Sequence, residues 1–156
     1  MSDRTITLTR TVEAPPATVF RALTDAGELA RWWTTGSESE PRSGGSFSYR
    51  FEFDDPSRNH AYEGAYHDVT ADERVSYPWQ TSLGETTVDV RLRPDGDATE
   101  VRLTHSGWGS DAAADEAVEL HEQGWSFFLG NLKSYLEGGP DLRAGGPMGQ
   151  KTPASV

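Results

Sequence analysis

The sequence contains no cysteine, and only two of its 14 basic residues, Lys133 and Lys151, are lysines. Without cysteine the chain forms no disulfide and no thiolate metal site, and it has no thiol nucleophile. It also lacks a run of about 18 apolar residues and a basic segment followed by an apolar one at its start. These absences predict a cytoplasmic protein that does not insert into a membrane.

Positive charge is scarce, because 25 acidic residues outnumber 14 basic ones and give a net charge of −11. Nucleic acids and anionic lipid surfaces are bound through clustered positive charge, so both are excluded as partners. An acidic surface with almost no lysine suits a high-salt cytoplasm, where repulsion is screened, but a GC-rich genome produces the same preference for arginine. Both explanations stay open.

Apolar residues make up only 35% of the 156 residues, yet aromatic residues make up 10% and include five tryptophans. A chain of this length is expected to fold around one core. Its apolar area is concentrated in large rings, which often surround pockets. We predict one domain over residues 1–139 and a flexible tail over 140–156, where glycine, proline and polar residues show no apolar period.

The stretch from Asp111 to Gly138 predicts one long C-terminal helix. Asp111 is a suitable N-cap, and Gly138 and Gly139 before Pro140 are a stop signal. One face of this helix is an apolar stripe, formed by His121, Trp125, Phe128, Leu129, Leu132 and Leu136. A stripe of this kind must be buried against another layer.

Upstream, the apolar pattern predicts strands and two short helices. Residues 5–12 alternate as a strand, and the two helices follow before residue 34. Further strands are predicted over 46–53, 60–69, 74–80, 86–93 and 100–105. Short connections with one apolar face per strand predict an antiparallel sheet of about six strands, covered on one side by the long helix. The predicted fold class is α+β.

Several local features carry narrower predictions. The segment from Thr34 to Gly45 is predicted as a loop, either a flap over a cavity mouth or a solvated acidic loop. Pro78 fits a sheet edge better than a central ladder. Gly124 is predicted to let the long helix approach the sheet closely. His60 is predicted to lie on the surface.

Several short motifs resemble one known family in their order and spacing. They are the segment PPATVFRALTDAGELARWW, Gly44-Gly45 before Ser46-Phe47, Tyr62-Glu63-Gly64, Tyr77-Pro78-Trp79, Val101-Arg102-Leu103-Thr104-His105, and His121-Glu122-Gln123-Gly124-Trp125. Together, over residues 5–137, they resemble the Hsp90-ATPase-activator-homologue (AHSA1-like) family of the START-like (SRPBCC) superfamily, in its stand-alone prokaryotic form.

This resemblance implies a helix-grip fold, in which a curved antiparallel sheet wraps around the long C-terminal helix and leaves an apolar cavity between them. It further implies that the ligand is a lipid, a polyketide, a hormone or another hydrophobic small molecule, and that some members act as cyclases or hydrolases. The eukaryotic co-chaperone of the family has an additional N-terminal domain, for which this chain is expected to have no room.

We therefore predict a carrier or sensor that binds a hydrophobic or amphipathic small molecule, and is not an enzyme, between the long helix and the sheet. The predicted lining residues are Trp32, Trp33, Phe47, Tyr49, Phe51, Tyr62, Tyr77, Trp79, His105, Trp108, His121, Trp125, Phe128 and Leu129. The alternative is that these rings fill the core. No motif indicates a cofactor or a metal, and the chain is predicted to be a monomer or a homodimer.

Two other functions stay open. An enzyme of the cyclase or hydrolase type would use His105 or His121 as acid or base, although either could equally be a core histidine. A metalloprotease motif is excluded, because Trp125 occupies the position of the required second histidine. A co-chaperone-like interaction module would instead expose Trp32, Trp33 and Trp108 as one patch.

Overall fold

The structure is a computed structural model and describes residues 4–81, 83–109 and 111–143. Its elements in chain order are β1 (Ile6–Val12), α1 (Pro16–Thr24), α2 (Ala26–Trp32), β2 (Gly36–Ser39), β3 (Ser46–Phe51), a 3-10 turn (Pro56–Arg58), β4 (His60–Ala65), β5 (Val69–Thr70), β6 (Arg74–Thr81), β7 (Gly84–Asp95), β8 (Ala98–Ser106) and α3 (Ala112–Leu136). The predicted α+β class, with two short helices after the first strand and a long C-terminal helix, is confirmed.

In the described residues the strands form two antiparallel sheets, not one sheet of about six strands. The larger sheet has the order β1-β8-β7-β6-β5, and the smaller has the order β2-β3-β4.

The prediction that residues 34–45 form a loop is wrong in part, because Gly36–Ser39 forms β2 and pairs with β3. Its polar sequence carries no apolar period, so periodicity missed it.

The two sheets meet along a seam between β4 and β6, where the predicted strand over 60–69 is interrupted. Beside β5, the His67 N–H donates to the Ser76 carbonyl at 2.8 Å and the Ser76 N–H donates to the Asp68 carbonyl at 2.9 Å. In a strand the backbone groups of residues two apart point to the same side, so the backbone nitrogen of Pro78 faces the seam, as the N–H of Ser76 does. Proline has no N–H to donate there, and the pairing ends.

The prediction that Pro78 suits a sheet edge is therefore confirmed. The two strands approach closely at Gly64, where a Cβ atom would lie 3.3 Å from Cγ of Pro78 and 3.1 Å from the Phe47 ring. Glycine permits this approach because it has no side chain. The sheets thus touch at Gly64 without sharing backbone hydrogen bonds between β4 and β6.

The long helix α3 covers the interior as predicted. Asp111 accepts a hydrogen bond from the Ala114 N–H at 3.0 Å, and Gly138 has the positive φ of 82° that ends the helix. Its buried face comprises Ala114, Trp125, Phe128, Leu129, Asn131 and Leu132, while His121 and Leu136 are half-buried. No helix in the described ranges is long and apolar enough to cross a membrane.

The segment after α3 packs on the domain. The Arg143 side chain has no exposed surface and donates to the carbonyls of Thr34 at 2.8 Å and Ala30 at 2.9 Å, while pairing with Asp141. Asn131 donates to the Trp32 carbonyl at 2.8 Å. Residues 140–143 of the predicted tail thus have hydrogen-bond partners on α3 and, through Arg143, around the end of α2. The rest of that prediction, over 144–156, lies outside the described residues.

Candidate functional site

A cavity of about 130 Å³ lies where α3, the end of α2 and both sheets meet. Its walls are almost entirely aromatic and are formed by Trp33, Phe51, Phe53, His60, Tyr62, Trp79, His121, Gly124, Trp125 and Phe128. None of these described lining residues carries a carboxylate, an ammonium or a guanidinium group. The ring of His60 is exposed and also stacks on Phe51 and Phe53, at 5.3 and 5.6 Å between centroids. His60 therefore lies on the surface, as predicted, and also belongs to the cavity wall.

The structure places half of the predicted lining residues at the cavity: Trp33, Phe51, Tyr62, Trp79, His121, Trp125 and Phe128. The other half lie in the surrounding core: Trp32, Phe47, Tyr49, Tyr77, His105, Trp108 and Leu129. For this second group the alternative prediction, that the rings fill the core, describes the structure. Trp32, Trp33 and Trp108 are no more than 4% exposed, so the patch expected of an interaction module is not formed.

Phe53, His60 and Gly124 complete the cavity but were not predicted as lining residues. Phe53 continues the alternation of Phe47, Tyr49 and Phe51 two residues after the end of β3, which is a usable sequence signal. Gly124 was predicted to allow close contact with the sheet, and this is wrong, because a Cβ atom there would meet no atom within 4 Å. It borders empty space, which a sequence does not show.

Trp33 is the central ring of the aromatic cluster. Its centroid lies 5.6 Å from Trp79 in a stacked arrangement and 5.3 Å from Trp125. Tyr62 from β4 stacks on Trp79 from β6 at 3.8 Å and 20°, so one ring pair bridges the seam. Such contacts add to the burial energy of the rings and hold the cavity walls in place.

His105 is fully buried, and its hydrogen bonds determine its protonation. The Trp125 Nε1–H can only donate, at 3.0 Å, so Nδ1 of His105 is the acceptor. The proton is then on Nε2, which lies 2.6 Å from the Thr86 hydroxyl, and that hydroxyl donates to the Trp79 carbonyl at 2.7 Å. Burial lowers the pKa of His105 to about 3. His105 is a core histidine with both nitrogens occupied.

His121 differs from His105 in having one ring nitrogen without a hydrogen-bond partner in the described part of the chain. Its Nδ1 donates to the Ala117 carbonyl at 2.8 Å, one turn back along α3, so Nε2 of the neutral ring is an acceptor. Nε2 has no hydrogen-bond partner among the described residues. Burial lowers the pKa of His121, and this effect outweighs the hydrogen bond to Ala117, which raises the pKa. His121 therefore presents a neutral acceptor from a ring that lines the cavity.

Trp79 and Tyr62 add polar groups to the cavity wall. The indole Nε1 of Trp79 is buried and has no hydrogen-bond partner in the described part of the chain; the only other such atom there, Oγ1 of Thr34, does not belong to a lining residue. Burial raises the pKa of the Tyr62 hydroxyl, which stays protonated. The cavity thus combines apolar walls with a small number of donors and acceptors.

No group of three or more His, Asp or Glu side chains within the described ranges is placed to hold a metal ion.

Outside the cavity, a wider trough of about 870 Å³ follows the outer side of the seam and is bordered by Ala61, Glu63, Ala65, His67, Gln80 and Glu85. His60 and Tyr62 belong to both spaces. The Tyr62 ring therefore separates the interior cavity from the outer trough.

Several solved structures are similar to this chain in fold. Protein CV1439 from Chromobacterium violaceum is 27% identical, with a TM-score of 0.72, and the match covers 88% of this chain and 99% of that one. The Aha1 protein from Colwellia psychrerythraea, a dimer in solution, is 22% identical over 86% of this chain and 96% of that one, with a TM-score of 0.71. DynU16, from the dynemicin biosynthetic locus, is 25% identical, with a TM-score of 0.74, over 90% of this chain and 50% of that one.

A comparison with curated protein sequences gives no match. Residues 13–137, about four fifths of the chain, match the family described as Activator of Hsp90 ATPase homolog 1-like protein. The matched range includes α1, α2, every strand from β2 onward, the whole cavity wall and α3. The chain therefore belongs to the Activator of Hsp90 ATPase homolog 1-like family of the SRPBCC superfamily.

Proposed function

We propose that the protein binds a hydrophobic small molecule in the cavity between α3 and the sheets, as a carrier or sensor. The observation that supports this most strongly is the cavity itself, an unfilled space of about 130 Å³ that is lined by aromatic side chains and opens to solvent beside His60. Protein interiors are otherwise close-packed, with few voids larger than a water molecule. A void whose wall is this apolar favours an apolar occupant over water.

The energetics favour a modest affinity. Burying about 200 Å² of apolar ligand surface is worth roughly 5 kcal/mol, part of which is offset by the freedom that the ligand loses. A small ligand is therefore expected to bind with a dissociation constant near the millimolar range unless polar contacts add to it. DynU16 comes from a biosynthetic locus, which agrees with handling of a small molecule.

Transport or sensing is favoured over turnover by the state of the two histidines. His105 has both ring nitrogens occupied and a pKa of about 3, so it is no acid or base near neutral pH. Of the two, His121 keeps an acceptor that has no partner among the described residues, and an enzyme that uses it as a general base is the second candidate. Turnover of a bound ligand that is lost in H121Q would favour that candidate.

Binding is tested in two stages. The protein is first purified from its own host and examined by native mass spectrometry for a retained small molecule. It is then titrated with hydrophobic compounds ranging from single aromatic rings to fatty acids, and thermal unfolding is followed. A ligand that binds the native state must raise the unfolding temperature with concentration. No retained mass and no shift with any compound would refute the proposal.

Oligomeric state is a separate proposal. The similar Colwellia protein is a dimer, and this chain exposes 60% of Leu120 on α3. Both a monomer and a homodimer remain predictions, and sedimentation equilibrium distinguishes them.

A further inference from the structure

The outer face of the larger sheet carries a basic depression that the proposed function does not use. The depression has a volume of about 440 Å³ and is bordered by Thr70, Glu73, Arg74, Arg91, Leu92, Arg93, Glu100 and Arg102. Four of the 12 arginines in the sequence thus surround one space, although the protein has a net charge of −11. None of these residues belongs to the cavity wall, so a site here is independent of the proposed function.

The cross-strand register places three of these arginines side by side. Arg74 of β6 lies opposite Arg91 of β7, and Arg91 lies opposite Arg102 of β8. Residues directly opposite in an antiparallel pair point to the same face, with Cβ atoms about 4.5–5.5 Å apart. Val101 and Leu103 on either side of Arg102 are buried, so the arginine row faces away from the core. Like charges directly opposite destabilise a sheet, and an anion between the side chains would relieve this repulsion.

Asp89 supplies one negative charge to the row and holds two of its members. Its Oδ1 accepts from Nε of Arg74 at 2.7 Å, and its Oδ2 accepts from Nε of Arg91 at 2.8 Å. Arg74 also lies 3.4 Å from Asp68. Partial burial raises the pKa of Asp89, but the hydrogen bonds from Arg91 and Arg74 outweigh this effect and lower the pKa. The ionised carboxylate therefore fixes two guanidinium groups next to each other and uses both of its oxygens to do so.

The donors that lack a partner are concentrated at Arg91 and Arg102. Only Nε of Arg91 bonds to Asp89, and its two terminal nitrogens have no hydrogen-bond partner among the described residues. The Arg102 side chain is exposed and forms no hydrogen bond or ion pair within the described ranges. By contrast, Arg93 donates to Glu100 at 2.8 Å. Two neighbouring guanidinium groups thus present their terminal nitrogens to solvent or to a ligand.

The acidic groups nearby narrow the class of anion. Glu73 and Glu100 also border the depression. An extended polyanion such as a nucleic acid would place further phosphates beside these carboxylates and the acidic surface, so a compact anion is favoured. A phosphate group has several acceptor oxygens and can bridge two guanidinium groups, whereas a carboxylate is matched by the fork of one arginine.

We propose that Arg91 and Arg102 bind the phosphate group of a small soluble molecule on the outer face of the larger sheet, and that Asp89 is a positioning residue that fixes Arg91. The phosphate oxygens accept hydrogen bonds from the terminal nitrogens of both arginines. The negative charge of the phosphate also offsets the repulsion between the two guanidinium groups, so binding stabilises the folded protein.

The test is a titration with inorganic phosphate at constant ionic strength, with chloride as the anion that it replaces, followed through the arginine side-chain resonances in NMR. Phosphate should shift the resonances of Arg91 and Arg102. R102Q should bind phosphate about tenfold more weakly, because charge-assisted hydrogen bonds are lost. R102K keeps the charge but loses the planar fork, so its affinity should be intermediate. Equal effects of phosphate and chloride on the two arginines would refute the site.

R50Q is the control for net charge, because it removes the same charge from an exposed arginine on β3 of the smaller sheet. Its affinity for phosphate should equal that of the wild type. Without phosphate, R102Q should be at least as stable as the wild type, since Arg102 loses no partner and its repulsion with Arg91 disappears. A less stable R102Q, or equal weakening of phosphate binding in R50Q and R102Q, would overturn the assignment.

Two sources of phosphate distinguish a soluble ligand from a membrane. Methyl phosphate, a soluble monoester, should shift the same resonances as inorganic phosphate. Vesicles of phosphatidic acid should not bind, because the net charge of −11 repels an anionic surface. Vesicle binding that is lost in R102Q would refute a soluble ligand in favour of a lipid headgroup.

Discussion

His105 and His121 lie 5.8 Å apart between ring centroids, yet they have different chemical roles. Both nitrogens of His105 are engaged by Trp125 and Thr86, which keeps this ring neutral. His121 bonds only to its own helix and leaves Nε2 without a partner in the described ranges. The residue type alone could not show this difference, because it depends on which neighbours the fold supplies to each ring.

The lowered pKa of His105 predicts how stability depends on pH. The pKa falls from its ordinary value of 6.5 to about 3 in the folded protein. The unfolded chain therefore binds more protons between these values, and stability is complete above 6.5 and decreases as the pH falls towards 3. We expect a slope approaching 1.4 kcal/mol per pH unit, that is, about one proton, from this residue over that window.

The measurement is denaturant unfolding at several pH values between about 6.5 and 4 in the wild type and H105Q, within the window set by the His105 pKa. Glutamine does not titrate, so the variant should lose the contribution of His105 to the slope. It should also be less stable by about 1–3 kcal/mol at neutral pH, because the Trp125 N–H loses its acceptor. H67Q, which replaces an exposed histidine, is the control. Equal slopes in H105Q and the wild type would contradict the prediction.

At the scale of single elements, α3 contains two glycines that allow a matched comparison. Gly124 lines the cavity and Gly130 does not, and a Cβ atom at either position would meet no atom within 4 Å. Replacing glycine by alanine inside a helix favours the helix by about 0.5–1 kcal/mol. G124A and G130A should therefore both stabilise the protein against urea.

Only G124A should affect ligand binding, because its methyl group occupies the space beside the cavity. We expect toluene to bind several-fold more weakly to G124A than to the wild type, and to bind G130A unchanged. Urea unfolding and ligand titration on the same three proteins provide both quantities. Unchanged toluene binding in G124A would show that the ligand lies elsewhere.

The strand β4 predicts an alternating pattern of amide exchange. The Tyr66 N–H donates to the Gly45 carbonyl, and the Tyr66 carbonyl accepts from the Gly44 N–H, just before β3. Because backbone groups of residues two apart point to the same side of a strand, the amides of Tyr62 and Gly64 also face β3. The amides of Ala61, Glu63 and Ala65 face the seam, where β6 makes no ladder with β4. These three should exchange faster than Tyr62 and Gly64 in hydrogen exchange followed by NMR. Uniform protection along β4 would mean that the two sheets are joined.

At the scale of the whole molecule, the anchoring of residues 140–143 on the domain can be tested by truncation. Arg143 donates to Thr34 and Ala30 from a fully buried side chain, and hydrogen bonds to charged groups are worth about 1.5–3 kcal/mol each. A chain that ends at residue 139 should be less stable by about 3 kcal/mol or more. A chain that ends at residue 143 should unfold at the same temperature as the full protein. Equal stability of the two truncated chains would contradict the anchoring role.

The sequence predicted the architecture well because that information is periodic and local. The sequence predicted the apolar stripe on α3, its Asp111 cap and the alternation of β7 and β8. The cavity was harder to predict, because which rings border a void depends on distances between layers. Phe47 and Phe51 lie on the same face of β3, yet only Phe51 reaches the empty space. The N–H of Trp79, which has no acceptor among the described residues, likewise results from its neighbours and from no motif.

The indoles of Trp32, Trp33, Trp79 and Trp125 are neighbours in one group, with adjacent centroids 5.3 to 5.8 Å apart. At such separations the electronic transitions of the rings couple, so light absorbed by one indole is shared with the others. The circular dichroism of this chromophore group therefore depends on the mutual angles of the four rings. Three of them border the cavity, so an occupant that turns any one of them by a few degrees changes the spectrum of the unlabelled protein.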